Sequence, residues 1–217
     1  MSVTALMWCL LILPLFPCGI WVAVLLLQVI CSMLSAPALL LSSTRPRVAI
    51  LIPAHNEAKG IGRTLQSLLP QLQAGDQLLV VADNCDDDTA QLAAAAGAEV
   101  VQRSDAMQRG KGYALEFGMR HLMQDTPDVV IVVDADCAAE TGAIDCLARA
   151  CAANDRPVQA LYLMTATSAN SARCQLRDFA WVVRNLVRPL GYSRISQPCQ
   201  LMGTGIPLHA YPARLSP

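Results

Sequence analysis

Residues 129–136 read Val-Val-Ile-Val-Val-Asp-Ala-Asp, and this stretch decides the fold class. Five β-favouring apolar residues in a row, Val129–Val133, are typical of a strand buried on both faces of a sheet. Asp134 and Asp136 follow at positions i and i+2, which on a continuing strand point to the same side. Two converging carboxylates suit a hard divalent cation such as Mg²⁺ or Mn²⁺, although two solvated acids opening a loop would give the same pattern.

On both sides of this stretch, short apolar runs alternate with segments of helical periodicity. The alternation predicts an α/β fold, a Rossmann-like and mostly parallel sheet with helices on both faces. In such sheets ligands bind beyond the carboxyl ends of the strands. The predicted strands are Val48–Ile52, Gln77–Ala82, Glu99–Gln102, Val129–Val133 and Val158–Met164, and the predicted helices are a segment starting at Ile61, then Thr89–Ala96, Lys111–Gln124 and Ala143–Ala153.

Polar residues gather where the predicted strands end. Asp83 ends a buried strand, so its carboxylate can accept hydrogen bonds from a base or a sugar. The glycines around Lys111 let the backbone and this side chain approach a phosphate closely. The acids at 86–88 are better explained as caps of the following helix. The segments concerned are Pro53-Ala54-His55-Asn56-Glu57, Asp83-Asn84-Cys85-Asp86-Asp87-Asp88-Thr89, Arg109-Gly110-Lys111-Gly112 and Asp134-Ala135-Asp136.

The N-terminal segment carries no charge before Arg45. Its apolar length exceeds the roughly 20 residues that one helical membrane span needs, so we predict a transmembrane anchor over residues 1–44. The helix is expected over much of Leu10–Leu34, with a kink near Pro14 and Pro17. Arg45 and Arg47 follow at once, and the positive-inside rule then places the downstream domain in the cytoplasm. A core helix of a soluble protein is the alternative.

Charge is distributed unevenly along the chain. Residues 1–155 hold nine Lys and Arg against sixteen Asp and Glu, whereas residues 156–217 hold seven Arg and one acid, Asp178. This balance argues against a general nucleic-acid binder. The nine cysteines form neither a C-x-x-C pair nor a Cys/His cluster, which argues against a zinc site or a secreted disulfide scaffold.

Taken in order, these motifs resemble family 2 glycosyltransferases, inverting enzymes of the GT-A fold that use nucleotide-diphosphate sugars. The resemblance covers residues 47–205 and is nearest to membrane-anchored bacterial enzymes. It implies a hexosyltransferase-type enzyme of exopolysaccharide, cell-envelope glycan or glycolipid synthesis. The donor would be a nucleotide sugar, most simply a UDP-sugar, the cofactor Mn²⁺ or Mg²⁺, and the acceptor a lipid or glycan. The expected location is the bacterial inner membrane, with a single span and a cytoplasmic catalytic domain.

The resemblance also implies a role for each matching residue. Pro53, Ala54 and Glu57 would line the base and ribose pocket, Asp83 would hold the base, and Lys111 would lie near the pyrophosphate. Asp134 and Asp136 match the D-x-D element, in which the first acid faces the ribose and the metal and the second binds the metal. Gly203, Thr204 and Gly205 would lie near the acceptor.

The C-terminal region departs from the family pattern. The family's general base is an acid in a downstream Glu-Asp element, followed in processive members by Q-x-x-R-W, and this sequence has no Glu-Asp dipeptide. We therefore expect a truncated transferase whose catalytic domain, 45–205, contains the donor half. The segment 206–217 has three prolines and reads as an aberrant tail. The alternative is an inactive nucleotide-sugar-binding or membrane scaffold fragment.

A basic stripe is predicted on the segment 171–188. At helical spacing Arg173, Arg177, Trp181, Arg184 and Arg188 lie side by side, with apolar residues on the adjoining face. Basic faces that carry Trp favour anionic membrane surfaces, although a solvated helix face would look the same.

Overall fold

The computed structural model describes residues 3–34, 39–154, 157–164, 171–195, 197 and 201–209. The chain divides into two compact units. The first, here called the sheet unit, contains Leu39–Ala160 and Leu201–Pro217, and the second, here called the helical unit, contains Met1–Ala38 and Leu161–Gln200. Residues 161–200, which the sequence analysis assigns to the catalytic domain, therefore group with the N-terminal helix.

The sheet unit is built on five strands in the order β3-β2-β1-β4-β5. Strands β1 to β4 pair in parallel, and Leu51 of β1 lies opposite both Leu79 of β2 and Val132 of β4. The predicted mostly parallel sheet is confirmed. The strands are β1 (Val48–Ala54), β2 (Gln77–Asp83), β3 (Glu99–Arg103), β4 (Val129–Val132) and β5 (Ile206–His209).

Helices cover both faces of this sheet, because alternate residues of the central strands are apolar on each side. Ile50 and Ile52 belong to one core with the helices α2 and α5, whereas Leu51 and Val81 belong to a second core with α4. The helices are α2 (Ile61–Leu68), α3 (Thr89–Ala95), α4 (Lys111–Leu122) and α5 (Ala143–Asn154), with short 3₁₀ turns at Leu69–Gln71 and Met123–Asp125.

The fifth strand is not the one predicted. Val158–Met164 forms no strand, and Ile206–His209, predicted as the start of an aberrant tail, pairs antiparallel with β4. The Gly205 N–H donates to Val132 O at 2.7 Å and begins this pairing. Pro207 has no N–H to give, but β5 is at the edge of the sheet, where a proline is tolerated. Residues 210–217 of the predicted tail lie outside the described residues.

In the helical unit the N-terminal helix α1 runs over Val3–Ser32 without interruption at the prolines. The stretch Leu15–Ser32 has a mean hydropathy of 2.2 and is only 11% buried, so it is long and apolar enough to cross a membrane. The other helices of this unit are α6 (Ala172–Val182) and α7 (Arg188–Arg194), joined by a π-helical turn over Val183–Val187.

The π turn changes the predicted arginine stripe. The Arg188 N–H bonds to Val183 O, five residues back, so one extra residue is accommodated and the residues after it are rotated around the helix axis. Arg188 donates from Nε to Gln28 Oε1 of α1 at 3.1 Å. It is therefore part of the packing between helices, while Arg173, Arg177 and Arg184 remain exposed on one side.

Candidate functional site

A cavity of about 510 Å³ opens at the carboxyl ends of β1, β2 and β4, beside the first turn of α4. It brings together seven residues that the sequence analysis assigns to the site. These are Pro53, Ala54, Glu57, Asp83, Lys111, Asp134 and Asp136. Four separate segments of the chain therefore converge at the edge of the sheet where parallel α/β folds bind ligands.

The two acids of the Asp-Ala-Asp element lie in a turn and not on the strand. Strand β4 ends at Val132, and the Cys137 N–H donates to Asp134 O at 3.1 Å, closing a turn over residues 134–137. The predicted i, i+2 strand geometry is thus wrong, but the turn also brings the two carboxylates close together. Ligand atoms of Asp134, Asp136 and Cys137 all lie within 4.8 Å of one another.

Lys111 lies at the first position of α4. The preceding residue, Gly110, has a φ of 118°, which glycine adopts readily and other residues rarely do. Its ammonium group bonds to Asp134 Oδ1 and donates to Gly203 O at 2.6 Å. The cation therefore connects the acidic turn to the segment that precedes β5.

Asp83, at the end of β2, is 4% exposed and forms an ion pair that the sequence analysis missed. Arg103 Nη1 donates to Asp83 Oδ1 at 2.7 Å, and the Asn84 amide donates to the same oxygen at 3.0 Å. Arg103 is the residue directly opposite Asp83 in the β2–β3 register. A basic residue ending the neighbouring strand was the available signal for this pair.

Glu57 experiences the negative charge of the site. Burial, with repulsion from Asp136, Asp87 and Asp134, raises the pKa of Glu57 above its usual value, and the nearby His55 opposes part of this shift. Burial is the larger cause of this shift, and the repulsion adds to it because several carboxylates lie near one another at the cavity.

The acidic run after β2 has a structural role, as favoured from the sequence. Asp87 accepts the Thr89 N–H at the start of α3 at 3.0 Å, and its other oxygen accepts the Ala58 N–H at 3.0 Å. Asp88 occupies the N-cap position without a side-chain cap hydrogen bond. Asp87 therefore links the loops after β1 and β2.

The residues assigned to the acceptor side lie beside the acidic turn. Thr204, which is 3% exposed, accepts the Asp134 N–H at its Oγ1 at 3.0 Å, and Gly203 accepts the Lys111 bond. Gly203 and Gly205 have φ values of 84° and 62°, in the left-handed region that favours glycine. This segment is therefore positioned by the D-x-D turn itself.

Further cavity residues were not assigned from the sequence. His55, Asn84 and Arg109 line the cavity with the predicted set. His55 Nδ1 lies 2.8 Å from Asp83 O, and Asn84 adopts a left-handed φ of 51°. All three stood in the polar segments at the strand ends, but nothing in those segments singled them out.

The comparison with family models identifies this arrangement. Residues 49–187, well over half of the chain, match the model described as glycosyl transferase family 2. The chain belongs to glycosyl transferase family 2. The matched region contains the whole predicted donor side, from Pro53 to Asp136.

Curated relatives match over a shorter region. The chain is 36% identical over 95 residues to glucosyl-3-phosphoglycerate synthase of Mycolicibacterium smegmatis, covering 41% of this chain and 30% of the relative. It is 36% identical over 92 residues to 4,4'-diaponeurosporenoate glycosyltransferase of Staphylococcus aureus, covering 41% of this chain and 24% of the relative. The matched region therefore spans less than a third of the length of these curated relatives.

Solved structures share the GT-A fold. A mannosyltransferase from Pyrobaculum calidifontis, in complex with GDP-Man and Mn²⁺, gives a TM-score of 0.54 at 21% identity and covers 63% of this chain and 43% of that one. Glucosyl-3-phosphoglycerate synthase from Mycobacterium tuberculosis, in complex with Mn²⁺, UDP-glucose and phosphoglyceric acid, gives 0.50 at 24% identity over 76% of this chain and 56% of that one. The predicted fold class is confirmed.

Proposed function

We propose that this family 2 chain binds a nucleotide-diphosphate sugar and transfers the sugar to an acceptor. The observation that carries the proposal is the single cavity that contains Asp83, Lys111, Asp134 and Asp136 together. A nucleotide sugar needs one partner for its base, one cation for its diphosphate and one metal site, and this set supplies each of them.

The acids of the cavity are suitable ligands for a divalent cation. Asp134 and Asp136 offer carboxylate oxygens, the ligands that Mg²⁺ and Mn²⁺ prefer. Burial raises the pKa of Glu57, and repulsion from these two acids raises it further. The solved structures described above contain Mn²⁺. When bound, such a cation stabilises the negative charge of the departing diphosphate as a Lewis acid.

The chain's own groups complete the donor site. Lys111 begins a helix at the cavity and brings a positive charge to a diphosphate, aided by the partial positive charge of the helix N-terminus. Pro53, Ala54 and Glu57 are proposed to contact base and ribose, and Gly203, Thr204 and Gly205 to border the acceptor. Thr204 holds the Asp134 backbone, so the acceptor segment also fixes the D-x-D turn.

Asp83 favours a base that presents an N–H group. Its Oδ1 already accepts bonds from Arg103 and Asn84, and an ionised carboxylate can only accept. Uracil presents its ring N3–H and guanine its ring N1–H to such an acceptor, whereas cytosine and adenine have an acceptor ring nitrogen there and can donate only from the amino group beside it. We therefore propose a UDP-sugar or a GDP-sugar, with UDP first because the Mycobacterium tuberculosis structure holds UDP-glucose.

The helical unit supports a proposal for the location of the chain and for its acceptor. We propose that α1 spans the membrane once and that the acceptor is a lipid or a glycan of the cell envelope. The support is the length and hydropathy of Leu15–Ser32, its low burial, and the arginines at 45 and 47 that follow it. A chain that binds donor without transferring sugar is the alternative.

Donor binding is tested by calorimetry on the full chain in detergent, using UDP-glucose with and without Mn²⁺. Asp136→Asn should lower affinity at least tenfold in Mn²⁺ and little without it, because it removes a metal ligand. Asp125→Asn, an exposed acid on the sheet unit, is the matched control. Equal affinity of Asp125→Asn with and without Mn²⁺, or equal affinity of the two variants in Mn²⁺, would reject the metal-assisted donor site. Sugar transfer to added lipid extracts, measured with labelled donor, then separates an enzyme from a binding protein.

A further inference from the structure

Helix α6 has an unusual environment for an apolar helix. None of its residues is buried, and Leu176 and Phe179, three residues apart on one face, are 68% and 66% exposed. α6 continues through the π turn into α7, but a helix of this kind normally packs its apolar face, and Leu176 and Phe179 stay exposed. Leu176 and Phe179 therefore form an exposed apolar patch, which favours contact with another apolar surface.

The charge around this face is strongly positive. The segment 171–195 contains five arginines and one acid, Asp178. Arg173 and Arg177 lie together along one side of the face defined by Leu176 and Phe179, and both are exposed. Asp178 lies 3.4 Å from Arg177 and offsets only that one charge. A covering surface that is negatively charged as well as apolar matches both properties, and anionic lipid has both.

The continuation of α6 is attached to the proposed membrane span. Gly191 of α7 lies against α1 so closely that a Cβ there would be 2.7 Å from Gln28 Cα. Arg188 donates to the Gln28 side chain, and Arg194 Nη2 donates to Leu34 O at 3.1 Å. A small residue at the crossing of two helices, with polar bonds beside it, is the usual arrangement for helices packed in or at a membrane.

Aromatic residues lie at the junction of α6 and the π turn. The Tyr162 and Trp181 rings meet edge to face at 5.9 Å, and the Arg184 guanidinium lies 5.5 Å from the Trp181 ring centre. Trp and Tyr are enriched at the level of lipid headgroups, where arginine side chains also reach the phosphates. The helical unit thus combines a span, an aromatic pair and a basic apolar face.

We propose that α6 lies on the surface of an anionic bilayer, with Leu176 and Phe179 among the lipid chains and Arg173 and Arg177 at the phosphates. The cost of placing arginines in the hydrocarbon region keeps α6 at the interface rather than across the membrane. This inference rests on α1 as the membrane span proposed above and is independent of donor binding.

Hydrogen exchange of the full chain in lipid nanodiscs tests the inference. Amides 176–182 should exchange about 30-fold more slowly in discs that contain phosphatidylglycerol than in pure phosphatidylcholine discs or detergent, given the usual attraction of two arginines to anionic lipid. The double variant Arg173→Gln/Arg177→Gln should lose this protection. Arg120→Gln, an exposed arginine of α4 in the sheet unit, should keep it.

Each other outcome overturns the inference. Equal exchange in all three media means that lipid charge does not order α6. Protection already present in detergent means that another part of the chain covers it, and protection that rises with protein concentration means that a second copy does. Extraction by alkaline carbonate checks the span separately: a chain that resists extraction while α6 exchanges equally keeps α1 in the membrane and rejects only the α6 surface.

Discussion

Lys111→Gln is expected to change the affinities for metal and for nucleotide in opposite directions. The Lys111 ammonium bonds to Asp134 Oδ1, one of the two carboxylates proposed to hold the divalent cation. Without a nucleotide, Lys111 and the metal compete for the same acid. With a diphosphate present, both cations attract the same ligand.

The sizes of both effects follow from the exposure of the pair. The Lys111 and Asp134 side chains are 41% and 34% exposed, so the charges are strongly screened and the pair is worth about 1 kcal/mol. Removing the ammonium should therefore raise the affinity of the nucleotide-free protein for Mn²⁺ about fivefold. Loss of a charged hydrogen bond to the diphosphate costs about 1.5–3 kcal/mol, so affinity for UDP should fall about 10- to 100-fold.

Two titrations on the same preparation measure these effects. Free Mn²⁺ is followed by its paramagnetic resonance signal, and UDP binding by calorimetry at saturating Mn²⁺. Arg120→Gln removes one positive charge from the last turn of the same helix and should leave both affinities unchanged. Weaker Mn²⁺ binding by the Lys111 variant would refute the competition, and unchanged UDP affinity would remove Lys111 from the donor site.

Three further changes test stability. Asp76→Asn should lower the free energy of unfolding by about 2 kcal/mol, because Arg45, which is 8% exposed, loses the Asp76 carboxylate at 2.7 Å and keeps only Asp145 at 3.3 Å. Desolvation raises the pKa of Asp76, but bonds from Arg45 and two backbone N–H groups outweigh it and hold this pKa below its usual value. The stability that Asp76 contributes is therefore present above about pH 4 and is lost in stronger acid. Urea unfolding of both proteins at pH 7 and pH 3 measures the difference. Glu57→Gln should raise the metal-free melting temperature at pH 7 and not near pH 4, because the raised pKa of Glu57 makes its ionised form unfavourable in the folded state. Gly118→Ala should lower the free energy of unfolding by about 1–3 kcal/mol, since the new Cβ would lie 2.8 Å from a β2 side chain. Gly112→Ala on the same helix is the control: its Cβ meets nothing within 4 Å, so the free energy of unfolding should not fall.

The central strands were predictable because their sequence leaves few alternatives. Runs such as Val129–Val133 are too short and too β-branched for a helix, and the glycine and proline stops between runs set the order of the elements. Prediction failed at the sheet edge, where Val158–Met164 has the composition of a strand but Ile206–His209 forms β5. An edge position tolerates Pro207, so the tertiary pairing with β4 overrides local preference.

The site could be predicted as a set of residues but not as a set of bonds. Most residues that line the cavity could be predicted from the four strand ends, because parallel topology brings those ends together. The bond from Lys111 to Gly203, 92 residues apart, depends on where β5 pairs and has no local signal. The π turn has no local signal either. It moves Arg188 out of the predicted stripe, and Arg188 donates to Gln28 instead.

The charges at the cavity favour an additional cation beside its acids. Asp83 is paired with Arg103, and Asp134 with Lys111, whereas the pKa of Glu57 is raised by burial and then by repulsion from Asp136. A divalent cation at Asp134 and Asp136 would remove that repulsion and release Lys111 toward a diphosphate. Because Lys111 also holds the Gly203 carbonyl, its release would free the segment before β5 at the moment when donor is bound. Metal, donor and the proposed acceptor segment would thus be coupled through one ammonium group, and the Lys111→Gln titrations measure the first step of that coupling directly.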